Sequence, residues 1–157
     1  MSHSKTILIM AGGTGGHIMP GLAVAQALTD AGHTVAWLGG AGGVGNPSME
    51  SRLVPQHGYE FHAAAFGGVR GKGLQTKLLA PFRLLKAMAQ TRKVYQRVRP
   101  DVVLGIGGYI TVPGGLPAKL TGISIVLHEQ NSIAGMSNQL LAKIAKRIRR
   151  NIIKMVT

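Results

Sequence analysis

Thr6-Ile-Leu-Ile-Met-Ala11 runs straight into Gly12-Gly13-Thr14-Gly15-Gly16-His17, and helical periodicity opens soon after, at Pro20. An apolar run, a glycine turn and a helix in that order form the first unit of a parallel α/β sheet, with the turn at the carboxyl end of its strand. Glycines let backbone approach a ligand closely. A helix N-terminus adds unpaired N–H groups and about half a positive charge. The hexamer therefore reads as an anion cradle with a titratable side chain attached, and a phosphate or diphosphate is its natural guest.

The same pattern recurs. Strands are expected at Thr6–Ala11, Thr34–Leu38, Glu60–Ala64, Asp101–Ile106 and Ser124–Leu127. Helices are expected at Pro20–Ala31, Ser48–His57, Leu74–Val98, Val112–Thr121 and Ala134–Ala145. Pro20 suits a first helical turn, and Gly32, Gly58 and Gly122 suit helix stops. Right-handed crossovers then favour a Rossmann-like, doubly wound parallel sheet that binds ligands at the carboxyl ends of its strands. A second glycine loop, Gly105-Ile106-Gly107-Gly108-Tyr109, falls on that same edge. Together the two loops could clamp both phosphates of a diphosphate. Gly39–Ser48, nearly devoid of side chains to pack, is expected to be a mobile loop.

With 157 residues the chain is expected to form a single domain, 1–157, able to fold without staples. It has no cysteine, so disulfides and thiolate metal sites are excluded. No apolar run approaches the roughly 20 residues of a membrane span. Eighteen Lys and Arg against five acids give a net charge of +13, which calls for an anionic partner. Half of those cations, Arg70, Lys72, Lys77, Arg83, Lys86, Arg92, Lys93, Arg97 and Arg99, lie between Glu60 and Asp101 with no acid among them. Nucleic acid has only charge in its favour, because aromatics are 4% of the chain and no recognition motif occurs.

The first loop lacks a dinucleotide fingerprint: His17 and Ile18 stand where its third glycine belongs, and Gly39 and Gly40 replace the acid that would end the second strand. No Gly-Lys-Ser or Gly-Lys-Thr is present, which removes a P-loop kinase or ATPase. His17 could act as a general base near neutral pH, donate to a phosphate or sugar oxygen, or simply cap a helix. His128-Glu129-Gln130-Asn131 follows the fifth strand onto the same edge, bringing a carboxylate and two amides suited to sugar hydroxyls, or else a capped strand end. No metal ligand set and no cofactor motif emerges, so a metal-independent site is expected.

The basic window also carries Leu74, Leu78, Leu79, Phe82, Leu85 and Met88, interleaved with Lys77, Arg83 and Lys86 and broken by Pro81. Two readings stand: a membrane-surface element, or a helix whose apolar stripe faces the sheet.

Met10-Ala-Gly-Gly-Thr-Gly-Gly-His17, Leu53-Val-Pro55, Arg70-Gly-Lys-Gly73, Val103-Leu-Gly-Ile-Gly-Gly-Tyr109 and His128-Glu-Gln-Asn131 together carry a resemblance. Over roughly Thr6 to Ile148 the chain resembles the N-terminal half of the MurG family, bacterial GT-B glycosyltransferases that add N-acetylglucosamine to the lipid-linked muramyl precursor of peptidoglycan. The resemblance implies that Gly12, Gly13, Thr14, Gly15, Gly16, Gly107, Gly108 and Tyr109 hold the diphosphate of the lipid-linked muramyl acceptor. It implies catalytic roles for His17 and Glu129, and positions reaching a UDP-GlcNAc donor for Thr14, Gly15, Gly16 and Asn131. Lys72, Leu74, Lys77, Leu78, Leu79, Phe82, Arg83 and Lys86 match the family's membrane patch, which implies a cytoplasmic protein peripheral to the anionic inner face of the bacterial inner membrane. Gly39–Ser48 looks about five residues longer than the family's loop, and Arg149–Thr157 departs from its continuation. The donor-binding C-terminal half has no counterpart in these 157 residues. The chain alone is therefore expected to be inactive or nearly so, with a non-catalytic binding module and one subunit of a split enzyme as the alternatives.

Overall fold

A computed structural model of the chain describes residues 3–43, 45–66, 73–131, 135–145 and 147–150. Its elements run β1 Thr6–Ala11, α1 Gly15–Asp30, β2 Thr34–Gly40, β3 Gly42–Gly43, β4 Asn46–Pro47, α2 Met49–Gln56, β5 Glu60–Ala64, α3 Leu74–Val98, β6 Val102–Gly107, α4 Thr111–Leu120, β7 Ser124–Glu129, α5 Met136–Ala142 and β8 Arg147–Arg150. Six strands form one sheet in the order β5-β2-β1-β6-β7-β8, every pair of them parallel. The expected α/β architecture holds.

Alternation along the strands sorts side chains to two cores. Ile7, Ile9, Ala11, Val35, Trp37, Leu104 and Ile106 pack with Ile18, Leu22, Val24 and Ala25 of α1 and Val54 of α2. Leu8, Met10, Ala36, Leu38, Val103, Ile125 and Leu127 pack on the other face with Ala87 and Tyr95 of α3, Ala118 of α4 and Leu141 of α5. Strands buried on both faces explain the near-continuous apolar runs. Trp37 is fully buried, and its indole N–H donates 3.0 Å to the Ala11 carbonyl.

The strand order reverses between β1 and β6, and a crevice opens where the crossovers on either side diverge. Their register slips at that point, from Met10↔Gly105 to Ala11↔Gly107. The turn after β1 and the turn after β6 both leave the sheet beside this crevice.

Four expectations need correction. Helix α1 starts at Gly15 instead of Pro20, so only Gly12–Thr14 is turn and the rest of the hexamer is the first helical turn. Pro20 lies inside the helix. Gly39–Ser48 is not simply a mobile loop: Gly39 and Gly40 end β2, and Gly42–Gly43 pairs antiparallel with Asn46–Pro47. The positive φ of Gly42, 83°, makes that tight hairpin accessible, and the Ser48 hydroxyl donates 2.6 Å to the Gly40 carbonyl. Helix α5 is shorter than expected, Met136–Ala142, and Ala134 lies outside the described residues. Strand β8, hidden in a run of cations, adds an unexpected sixth strand beside β7.

Candidate functional site

The two glycine loops meet at the crevice. Gly12 N–H donates to the Gly107 carbonyl at 3.4 Å. Gly108, at φ 93°, lies so close to the first loop that a Cβ there would strike the Gly12 carbonyl oxygen and carbon. Only glycine fits that conformation in that space. The first-turn amides of α1 at Gly15 and Gly16 have no preceding turn to bond with, so they are available for an anion. Thr14 is the N-cap, with its side chain uncommitted to capping.

Beneath these loops lies a residue that the sequence reading passed over. Glu50, in the first turn of α2, is fully buried. Its carboxylate accepts from Gly40 N–H (3.1 Å), the Tyr109 hydroxyl (3.1 Å) and, more weakly, Gly13 N–H (3.4 Å). One side chain thus ties together the end of β2 and both glycine loops. A Cβ on Gly12 would collide with it. Burial and the neighbouring Glu50 charge push the Tyr109 hydroxyl far above its ordinary pKa. That hydroxyl serves Glu50, and the Tyr109 ring forms a wall of the crevice.

His17 and Glu129 come to the same place, the first from α1 and the second from the end of β7. Both line a cleft of about 360 Å³ together with Phe66, Gly107, Gly108, Tyr109, Met136 and Asn138. Glu129 is buried, and its two oxygens accept four hydrogen bonds: Asn131 N–H and the Asn131 amide at 2.9 Å, the Asn138 amide at 2.9 Å and Gly135 N–H at 3.2 Å. Burial alone would raise its pKa, but those donors outweigh burial and hold the carboxyl below its usual range. Asn131, expected to reach a donor, spends its amide on Glu129. Asn138 was not anticipated from sequence, since nothing local marks an asparagine on a short helix as the partner of a carboxylate nine residues earlier.

Burial is the largest influence on His17 and lowers its pKa, while Glu129 and the Ile106 carbonyl push more weakly the other way. Its ring nitrogen Nδ1 lies 2.6 Å from Nε2 of Gln130. The net depression keeps the imidazole neutral at neutral pH.

These shifts make stability depend on pH in a definite direction. His17 is lowered from 6.5 in the folded chain, so the unfolded chain binds more protons at mildly acidic pH, and the His17 contribution is full above pH 6.5 and is lost as pH falls below it. Glu129, lowered from 4.5, loses its contribution in a separate window below that value. Denaturant midpoints measured from pH 8 down to about pH 2.5 should fall in these two stages, and His17→Gln should flatten the first. A His17→Gln profile parallel to that of the parent would contradict the assignment.

Among the described residues no group of three or more His, Asp or Glu is placed to hold a metal ion. Lys72 and the rest of 67–72 lie outside the described residues. The other members of the expected membrane patch sit on the N-terminal part of α3. There Leu74 is 72% exposed, Leu78 66% and Phe82 70%, and Lys77, Arg83 and Lys86 are exposed beside them. The apolar stripe therefore faces solvent rather than the sheet. The helix reaches its core only further on, through Ala87, Thr91 and Tyr95.

A family model for the glycosyltransferase family 28 N-terminal domain matches residues 7–149. The chain belongs to this family. It is 58% identical over 148 residues to the UDP-N-acetylglucosamine–N-acetylmuramyl-(pentapeptide) pyrophosphoryl-undecaprenol N-acetylglucosamine transferase of Albidiferax ferrireducens, a match spanning 94% of this chain and 38% of that protein. The enzyme of the same name from Burkholderia multivorans is 57% identical over 144 residues, spanning 92% of this chain and 38% of that protein. Among solved structures, MurG from Acinetobacter baumannii superposes with a TM-score of 0.79 at 41% identity, covering 93% of this chain and 41% of that one. The chain thus spans about two fifths of the length of its family 28 relatives. The Streptomyces glycosyltransferase SsfS6, at 18% identity and a TM-score of 0.60, shares the fold.

Proposed function

We propose that this chain is the acceptor-binding half of an inverting glycosyltransferase that moves N-acetylglucosamine from UDP-N-acetylglucosamine to undecaprenyl-diphosphoryl-N-acetylmuramyl-pentapeptide. One observation carries the reading: two glycine loops meet back to back at the switch point of the sheet, with His17 and Glu129 on the same cleft. The acceptor diphosphate would lie against the free amides of Gly15 and Gly16 and the backbone of Gly107 and Gly108, where the α1 N-terminus favours negative charge. UDP-N-acetylglucosamine would be held largely by a second, C-terminal half, with Thr14, Gly15 and Gly16 facing it.

In the transfer, the acceptor hydroxyl attacks the anomeric carbon, the bond to UDP breaks with its electron pair leaving on the diphosphate, and the hydroxyl proton passes to a base. His17 suits that role better than Glu129. Its ring is neutral, whereas both Glu129 oxygens are already engaged by four donors that lower their basicity. Glu129 instead offers negative charge to the imidazolium that forms. The test is turnover by the chain joined to a family donor half, with radiolabelled UDP-N-acetylglucosamine and a soluble lipid-linked acceptor. No labelled disaccharide from a folded fusion would sink the reading.

The exposed apolar residues of α3, with cations alongside, support docking on an anionic lipid surface. Among the described residues no helix is long and apolar enough to cross a membrane. Leu78 and Phe82 would each gain roughly 1.5–3 kcal/mol if fully buried, and the cations would add attraction that salt screens. Changing both to glutamate should lower partitioning onto phosphatidylglycerol vesicles at least about tenfold. Binding unchanged by the substitutions and by salt would exclude this face.

A further inference from the structure

We infer that Gln130 is a positioning residue that fixes the tautomer of His17, keeping the imidazole lone pair on Nδ1 and the ring proton on Nε2.

Pro20 lies inside α1. A proline inside a helix has no N–H, so the carbonyl four residues earlier loses its usual donor. In α1 that carbonyl belongs to Gly16, in the first turn beside the crevice. Gln130 supplies the missing partner: its Nε2 donates to the Gly16 carbonyl at 3.0 Å across 114 residues of chain. The proline thus exposes an acceptor that anchors an amide arriving from the end of β7.

This anchor determines which way the amide faces. A carbonyl can only accept, so the Gln130 atom against Gly16 is the nitrogen; the flipped amide would set two acceptor oxygens against each other. The same nitrogen lies 2.6 Å from His17 Nδ1. An amide NH₂ carries two protons and no usable lone pair, so one proton goes to Gly16 and the other to His17. Nδ1 must then accept, and a neutral ring that accepts at Nδ1 carries its proton on Nε2. Protonating Nδ1 would set N–H against N–H. Besides Gln130, the groups acting on the ring are the Glu129 carboxylate of β7 and the Ile106 carbonyl, and Gly107 packs against its edge so closely that a Cβ there would come within 2.6 Å of Nδ1.

This rests on, and deepens, the reading of His17 as the group that handles the acceptor proton. The lone pair that takes a proton is the one Gln130 holds, so proton uptake at Nδ1 requires the substrate hydroxyl to take the place of the amide.

The test needs neither acceptor nor donor, so its outcome is separate from that of the transferase reading. The chain is labelled with ¹⁵N-histidine, and the ring nitrogens are followed by long-range ¹H–¹⁵N spectra across pH. In the parent, His17 should show a single neutral tautomer, protonated at Nε2 and bare at Nδ1. Gln130→Ala should release the ring to a mixture of tautomers. Gln130→Glu, which places an acceptor where the donor stood, should turn the proton to Nδ1 and raise the His17 pKa by about one to two units. A parent ring protonated at Nδ1 overturns the inference outright, even if a variant fails to fold. Folded variants that keep the parent tautomer and pKa overturn it as well.

Discussion

Gly108→Ala is expected to unfold the site and destabilise the whole chain. The residue adopts φ 93°, where an L side chain costs about 1–3 kcal/mol, and the new methyl would press on the Gly12 carbonyl with no side chain able to give way. Relief requires the two glycine loops to part, which breaks the Gly12–Gly107 hydrogen bond and shifts Tyr109 away from Glu50. A total of about 3 kcal/mol should lower the melting temperature by roughly 10 °C in a chain of this size. Gly58→Ala is the matching control, because Gly58 has φ 83° but open space around it. It should cost only about 1 kcal/mol. Equal losses from the two substitutions would show that loop contact at Gly108 contributes nothing.

The second large effect is on chemistry. In a fusion carrying both halves, His17→Ala should lower kcat by about 10²–10⁴-fold, the usual worth of a positioned acid–base group, and change the acceptor KM far less. Its fold should survive, since His17 is half-buried and its side-chain partner Gln130 keeps its hydrogen bond to the Gly16 carbonyl. Glu129→Ala is expected to cost activity by a different route. It would leave one N–H of the buried Asn138 amide without its acceptor, at about 1–3 kcal/mol if fully unsatisfied, whereas the exposed Asn131 and Gly135 donors can turn to water. Its signature is therefore lost stability together with lost rate. A His17→Ala fusion within tenfold of the parent would remove His17 from the reaction.

Much of this arrangement was legible in sequence. The boundaries of β1, β5 and α3 matched, because the apolar run of β1, the Gly58 stop before β5 and the 25-residue length of α3 are local signals. The convergence of both glycine loops, His17 and Glu129 on one cleft followed from placing every strand end on one edge. What escaped was tertiary. Gly39 and Gly40 look like loop residues, yet they extend β2 by pairing with Ala63 and Ala64 of β5, and Glu50, Phe61 and Tyr109 fill the space that side chains there would need. Pro20 reads as a helix start, and its place within α1 makes sense only once Gln130 is seen on the Gly16 carbonyl. Glu50 sits in an ordinary first helical turn, and only the folded chain reveals that its carboxylate joins the end of β2 to both glycine loops. Strand β8 was hidden because Arg147–Arg150 has the composition of a solvated tail.

The central proposal is that this chain recognises the acceptor and leaves most donor recognition to another half. Isothermal calorimetry of the isolated chain tests it most directly, with a soluble muramyl-diphosphate lipid analogue in one titration and UDP-N-acetylglucosamine in the other, each repeated with Gly108→Ala. Saturable binding of the analogue that Gly108→Ala abolishes, with little heat from the nucleotide sugar, is the expected result. Tight binding of UDP-N-acetylglucosamine with none of the analogue would contradict it.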